Sequence, residues 1–134
     1  MLKILFLGDV VGKLGRRAVS QALPRLRAEH APDLVIVNGE NSAHGNGITA
    51  ATYGELRTAG ADVITLGDHA FDRREVAMLL ATEAAHLIRP ANYPPPAPGQ
   101  GWVVVPVGTR HVLVANLLGR VFMKHHYDDP FRGI

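Results

Sequence analysis

Apolar and polar positions fall into two kinds of block along the chain: short unbroken apolar runs, and longer stretches with helical spacing. The runs are Lys3 to Leu7, Leu34 to Val37 and Val63 to Leu66, closed by Gly8-Asp9, Asn38-Gly39 and Gly67-Asp68-His69. Runs of this length without alternation predict strands buried on both faces, as a parallel sheet requires. After the first run, Leu14, Ala18, Val19, Ala22, Leu23 and Leu26 repeat on one helical face, and Arg16, Arg17, Arg25 and Arg27 form its solvated side. Pro24 within this stretch predicts a kink or an end, because proline removes a helical donor and crowds the preceding turn. Thr49 predicts the cap of a second helix carrying Tyr53, Leu56 and Ala59, with Gly60 at its C-terminus. Asp72, with Glu75 three residues on, predicts the cap of a third helix containing Val76, Leu79 and Leu80.

This strand–helix alternation predicts an α/β fold with a parallel sheet and right-handed crossovers. Beyond Arg89 the pattern changes. Pro90 to Gly101 holds five of the nine prolines and predicts an irregular loop. Trp102 to Val107 and His111 to Asn116, flanking Gly108-Thr109-Arg110, predict a hairpin or two neighbouring strands. Gly119 to Ile134 has no period and predicts a loop or tail.

With 134 residues, 47% hydrophobic and 19% charged, residues 1–134 suit one domain with a real core and exclude a disordered chain. The absence of cysteine excludes a disulfide framework, a thiol nucleophile and thiolate metal ligation. The first apolar run ends at Gly8-Asp9, too early for a signal peptide or a membrane span, so a soluble cytoplasmic protein is expected. A net charge of +2 suits anionic partners but is too mild to argue for nucleic acid, and no RNA-recognition signature appears.

The candidate chemistry lies in the polar clusters that close the apolar runs. Carboxyl ends of adjacent parallel strands converge on one edge of a sheet, where ligands bind. Adjacent strands would therefore gather Asp9, Glu40, Asn41, Asp68 and His69 into one cleft. Like charges about 4 Å apart cost roughly 4 kcal/mol at an effective dielectric near 20. Either one acid takes a proton or a cation binds. Hard oxygen donors beside a histidine favour a divalent metal such as Mg, Mn or Fe. Such a metal would acidify water and neutralise phosphate charge, and His69 would then donate a proton to a leaving oxygen. The plain alternative makes these acids turn and capping residues, which strand ends often carry. Its weakness is that all three strand ends carry such groups.

Other motifs weigh less. Gly8 to Lys13 is one residue short of a P-loop, and Leu14 replaces the required hydroxyl residue. Gly45-Asn46-Gly47 reads as loop flexibility, and His44 borders the cleft either as a substrate contact or as a plain loop histidine. His125-His126 reads as a solvated pair, His30, His86 and His111 as structural, and Tyr93 and Trp102 as packing residues.

Taken as ordered motifs, Gly8-Asp9-Val10-Val11-Gly12, Asn38-Gly39-Glu40-Asn41-Ser42-Ala43-His44-Gly45 and Gly67-Asp68-His69-Ala70-Phe71-Asp72 resemble the YmdB-type branch of calcineurin-like metallophosphoesterases. Arg89-Pro90-Ala91-Asn92-Tyr93-Pro94, Leu118-Gly119-Arg120 and Asp128-Asp129-Pro130-Phe131 resemble the same family in the same order. The resemblance implies the N-terminal half of a four-layered α/β/β/α sandwich. It implies a dinuclear metal site hydrolysing small phosphodiesters such as 2′,3′-cyclic nucleotides. Asp9 and Asn41 would ligate one metal, Glu40 would bridge, Asp68 would serve the second, and His69 would be the proton donor.

Two departures accompany it. Asp68 stands where the family has Asn, which keeps an oxygen ligand but adds negative charge and makes the metal less electrophilic. Family members also continue into a second half with three further histidine ligands, whereas this sequence ends at Ile134. Asp9, Glu40, Asn41 and Asp68 cannot fill the roughly dozen positions of two octahedral metals. The expectation is a truncated product, a site completed by a partner chain, or, in the rival reading, a non-catalytic binding or assembly domain. A half-sheet would leave a free edge and an uncovered apolar face, which favours a homo-oligomer.

Overall fold

The computed structural model describes residues 1–132. Residues 133 and 134, the end of the expected tail, lie outside the described residues. Four strands, β1 (Ile4–Leu7), β2 (Leu34–Asn38), β3 (Val63–Thr65) and β4 (Leu87–Ile88), pair in parallel in sequence order. The helices α1 (Gly12–His30), α2 (Ala50–Ala59) and α3 (Val76–Thr82) connect them. An antiparallel hairpin of β5 (Trp102–Val107) and β6 (Arg110–Ala115) forms a second sheet.

The parallel sheet is covered differently on its two faces. Val35, Val37, Ile64 and Leu87 pack with Val19 and Leu23 of α1, Leu56 of α2 and Leu80 of α3. Leu34, Ile36, Val63 and Ile88 point the other way, onto Val103, Val105, Val112 and Val114 of the hairpin. The order helix, sheet, sheet supplies three layers of the expected α/β/β/α sandwich.

Several expectations change. β2 and β3 are buried on both faces, but β1 is the edge strand and leaves Ile4 49% and Phe6 59% exposed. An apolar run therefore marked a strand correctly while overstating its burial. α1 continues through Pro24, which lies on the exposed side where the lost backbone bond faces water. Leu14 is 82% exposed, so the apolar stripe of α1 begins at Val19. Arg16 and Arg27 do not belong to a solvated face. Arg16 pairs with Glu55 and donates to the Ser42 carbonyl, and Arg27 reaches the Gly60 carbonyl and the Asp62 carboxylate.

Thr49 caps α2 as expected, with its hydroxyl accepting from the Thr52 backbone in a capping box, and Gly60 ends the helix in a left-handed conformation. Asp72 does not cap α3; the residue before that helix is Glu75, without a side-chain cap, and Asp72 is engaged elsewhere. The two-residue β4 is too short to register as an apolar run.

Asn92, buried in the loop after β4, explains why three separated motifs lie together. Its side chain accepts from the Leu118 amide and donates to the carbonyls of Leu118 and Asp128. Its own carbonyl accepts from the Asp128 amide. This knot fixes the otherwise irregular segment from Gly119 to Arg132 against the domain.

Candidate active site

Backbone bonds between neighbouring loops bring the candidate residues to one edge of the sheet. The Val10 amide donates to the Asn38 carbonyl, the Gly12 amide to that of Asn41, and the Gly39 amide to that of Thr65. The loops after β1, β2 and β3 are thereby stitched side by side. Asn41 donates its side-chain amide to the Asp9 carboxylate at 2.7 Å. Glu40 lies on a neighbouring floor: a β-carbon at Gly67 would overlap its carboxylate, so Gly67 leaves open the space that Glu40 fills.

The electrostatics follow from this crowding. Burial raises the Glu40 carboxyl above its ordinary range, and the nearby charges of Asp68 and Asp9 push it further. Oε2 of Glu40 and Oδ1 of Asn41 and Asn38 are buried without a hydrogen-bond donor. Unpartnered buried oxygens are costly, and hard oxygens are the donors that divalent cations prefer. The donor set therefore fits a hard cation. Among the described residues, no three His, Asp or Glu side chains stand close enough together to hold a cation by themselves. The amide oxygens of Asn41 and Asn38 are part of what is offered.

His69 stands at the rim, with Nε2 4.0 Å from the Asp68 carboxylate. Its Nδ1 lies 2.7 Å from Oδ2 of Asp72. A carboxylate only accepts, so Nδ1 carries the proton and Nε2 faces the acidic cluster. The hydrogen bond to Asp72 raises the His69 pKa, against a smaller opposing effect of burial. For Asp72, burial alone would raise the carboxyl, but the bonds from His69 and Asn46 hold it below its ordinary value.

Asp9, Glu40, Asn41, Asp68 and His69 thus lie together, as the sequence suggests. Four contributors escape that reading. Asp72 is the partner of His69, and its sequence signals are the spacing of one turn from the histidine and its place at the end of the Gly67 to Asp72 motif. Asn38, the last residue of β2, turns its amide toward Glu40. Tyr93 donates its hydroxyl to the carbonyls of Gly67 and Asp68 while packing edge-on between Phe71 and Tyr127. It is a packing residue as expected, and it also supports the loop that carries Asp68. Asn116, just past β6, donates to the Leu66 carbonyl and ties the second sheet to the same loop.

His30, His44, His111, His125 and His126 are exposed, and His86 bonds the Asp62 carbonyl as a structural histidine. Among the described residues, no helix is long and apolar enough to cross a membrane.

Comparison with known proteins identifies the family. A family model described as YmdB-like protein matches residues 5–134. The chain belongs to that family. A protein of Bacillus subtilis (strain 168) named 2′,3′-cyclic-nucleotide 2′-phosphodiesterase is 42% identical over 130 residues, which cover 97% of this chain and 48% of that protein. A protein of Mycoplasma pneumoniae named as a putative phosphatase/phosphodiesterase is 37% identical over 137 residues, covering 98% of this chain and 48% of that one. The chain therefore spans about half the length of these two relatives. A crystal structure of a protein from Thermus thermophilus matches with a TM-score of 0.90 and 45% identity, over 98% of this chain and 50% of that one. A second, of a Mycoplasma pneumoniae protein described as a novel phosphatase, matches with a TM-score of 0.88 and 35% identity, over 98% and 48%.

Proposed function

We propose that this chain carries part of the active site of a metal-dependent phosphodiester hydrolase acting on cyclic nucleotides or similar small phosphodiesters. The observation that carries the reading is the pairing of His69 with Asp72 beside unpartnered oxygens of Glu40 and Asn41. The names of the family's relatives support the same chemistry. Asp9, Asn41, Glu40 and Asp68 would supply part of the donor set for two divalent cations, Fe, Mn or Mg. Bound there, such cations supply charge neutralisation for the phosphodiester and make water a stronger acid. Asp68, charged where an amide would be neutral, adds negative potential to that position. Asn41 is oriented by its own bond to Asp9, which leaves its carbonyl oxygen for the cation. His69, with Nδ1 held by Asp72, presents Nε2 to the leaving oxygen and delivers a proton to it.

The free edge of β1 and the exposed outer residues Trp102, Val104 and Leu113 support self-association.

The test is to measure metal content and hydrolysis of bis-p-nitrophenyl phosphate and of a 2′,3′-cyclic nucleotide, with Mn or Fe added, in wild type and His69→Ala. Hydrolysis that requires the metal and collapses without His69 supports the proposal. A folded, metal-free and inactive protein would instead support a non-catalytic binding domain.

A further inference from the structure

We propose that Arg73 and Asn46 are positioning residues that set the orientation of the His69 imidazole from a different loop. The inference rests on the reading of His69 as proton donor, and its geometry is independent of any cation. Arg73 follows Asp72 directly, but its side chain crosses to the loop between β2 and α2. Its guanidinium donates from Nε to the Asn46 carbonyl at 3.0 Å, and from Nη2 to the Ala43 carbonyl and to Oδ1 of Asn46.

The chemistry of these groups leaves one arrangement. A guanidinium has donors only, so the Asn46 side chain must turn its oxygen toward Arg73. Its Nδ2 then faces the other way, and it donates to Oδ2 of Asp72 at 3.1 Å. That same oxygen accepts from Nδ1 of His69. The chain of bonds therefore runs from Arg73 to Asn46 to Asp72, where the imidazole meets it. A carboxylate held by two donors cannot rotate freely about its own side-chain bonds, and the imidazole plane follows it.

The fit is tight. Gly47 adopts φ +75°, and a β-carbon there would sit 2.7 Å from Cγ of Arg73, so the arginine stem lies against bare backbone. Glu75, two residues beyond Arg73, accepts from the Ala50 amide at 3.1 Å and fixes the other end of the loop at the start of α2. The loop that carries Glu40 and Asn41 and the loop that carries Asp68 and His69 are thus locked together. Arg73 aligns the proton donor with the acidic cluster.

The experiment compares Asn46→Ala, Arg73→Lys and the control Arg74→Gln, whose side chain is exposed. Lysine keeps the charge but cannot reach several fixed acceptors in one plane. The first readout is the nitrogen NMR signature of neutral His69, recorded above its titration midpoint in the metal-free whole protein, selectively labelled at histidine. Wild type and Arg74→Gln should show the Nδ1-protonated tautomer; Asn46→Ala and Arg73→Lys should show a mixture of tautomers. The second readout is kcat and KM with an alkyl and a p-nitrophenyl phosphodiester. A displaced proton donor penalises the alkyl ester, whose leaving oxygen needs the proton, and spares p-nitrophenolate.

We expect kcat for the alkyl ester to fall about tenfold in both variants, with KM changed less than about twofold. An unchanged tautomer, or equal losses on both esters, would overturn the positioning role. Asn46 is exposed, so Asn46→Ala decides the question if Arg73→Lys does not fold. If His69→Ala retains activity, the proton-donor reading fails, while the tautomer measurement still decides whether the clamp orients the ring.

Discussion

The carboxylate of Glu40 occupies the space that a side chain at Gly67 would fill. The two residues follow successive strands and meet only because β2 and β3 are neighbours in register. Gly67 is buried, and its function is to be empty on that side. This single contact places an acid from one loop over the backbone of the next.

Gly67→Ala should therefore damage the site without damaging the fold. The methyl meets the far end of a flexible side chain, so Glu40 swings away at little cost. We expect Mn binding, measured by calorimetry, to weaken at least about tenfold, as losses of supporting groups at metal sites commonly do. The circular dichroism spectrum should be unchanged. Wild-type Mn affinity in Gly67→Ala would show that Glu40 does not take part.

Glu40→Gln should stabilise the protein in the absence of added cations. Burial and the charges of Asp68 and Asp9 raise the Glu40 pKa above its ordinary value of 4.5. A carboxyl raised on folding costs nothing below its unfolded pKa, and the cost grows as pH rises through the raised value. The variant should thus match wild type near pH 4 and exceed it at pH 7 to 8 by about 1 kcal/mol, after allowance for the screening of a half-exposed group. That corresponds to a Tm about 4 °C higher. Added Mn should raise the Tm of wild type and leave Glu40→Gln nearly unmoved. A variant less stable than wild type at every pH would contradict this account.

Asp72→Asn should lower the titration midpoint of His69. The bond to Asp72 raises the imidazole above its ordinary value of 6.5, so its stabilisation is fully present below that pH and is lost as pH rises through the raised value. For Asp72, held below its ordinary value of 3.8, the stabilisation is present above that value and is lost as pH falls through the lowered one. The ion pair thus contributes fully between these two limits. An NMR titration of metal-free protein should show the midpoint moving down in Asp72→Asn toward that of a free imidazole. If His69 is the proton donor, the alkaline fall of kcat should move to lower pH with it. An unmoved midpoint would mean that Asp72 does not hold the imidazole in its charged form.

Pro24→Ala should stabilise α1. Proline inside a helix costs about 3 kcal/mol, part of which is returned by the stiffer unfolded chain. Pro24 is exposed, so alanine loses no core packing. We expect a gain of about 1–2 kcal/mol in urea denaturation, with the slope unchanged. A loss of stability would mean that the helix depends on the bend.

The order of elements was legible because each apolar run is bounded by glycine or a polar residue. The gathering of Asp9, Glu40, Asn41, Asp68 and His69 was legible because parallel strands place their carboxyl ends together. The exposure of β1 was not legible. An apolar run reads alike at the centre and at the edge of a sheet, and only the pairing partner separates the two. Pro24 misled for a related reason: a helix packed on one side by Val19 and Leu23 outweighs a local defect on the other.

By itself the amino-acid sequence determined which polar groups would close neighbouring strands and meet at one edge, since apolar runs and the polar groups that end them are local properties. The tertiary structure decided how those groups are used. Asp72 has the composition and spacing of a helix cap, yet it holds His69 because Asn46, 26 positions away along the chain, is brought beside it. Arg73 has the look of a solvated charge, yet it spans two loops because Gly47 leaves it room. Such choices depend on contacts between distant segments, whose energies no local pattern contains.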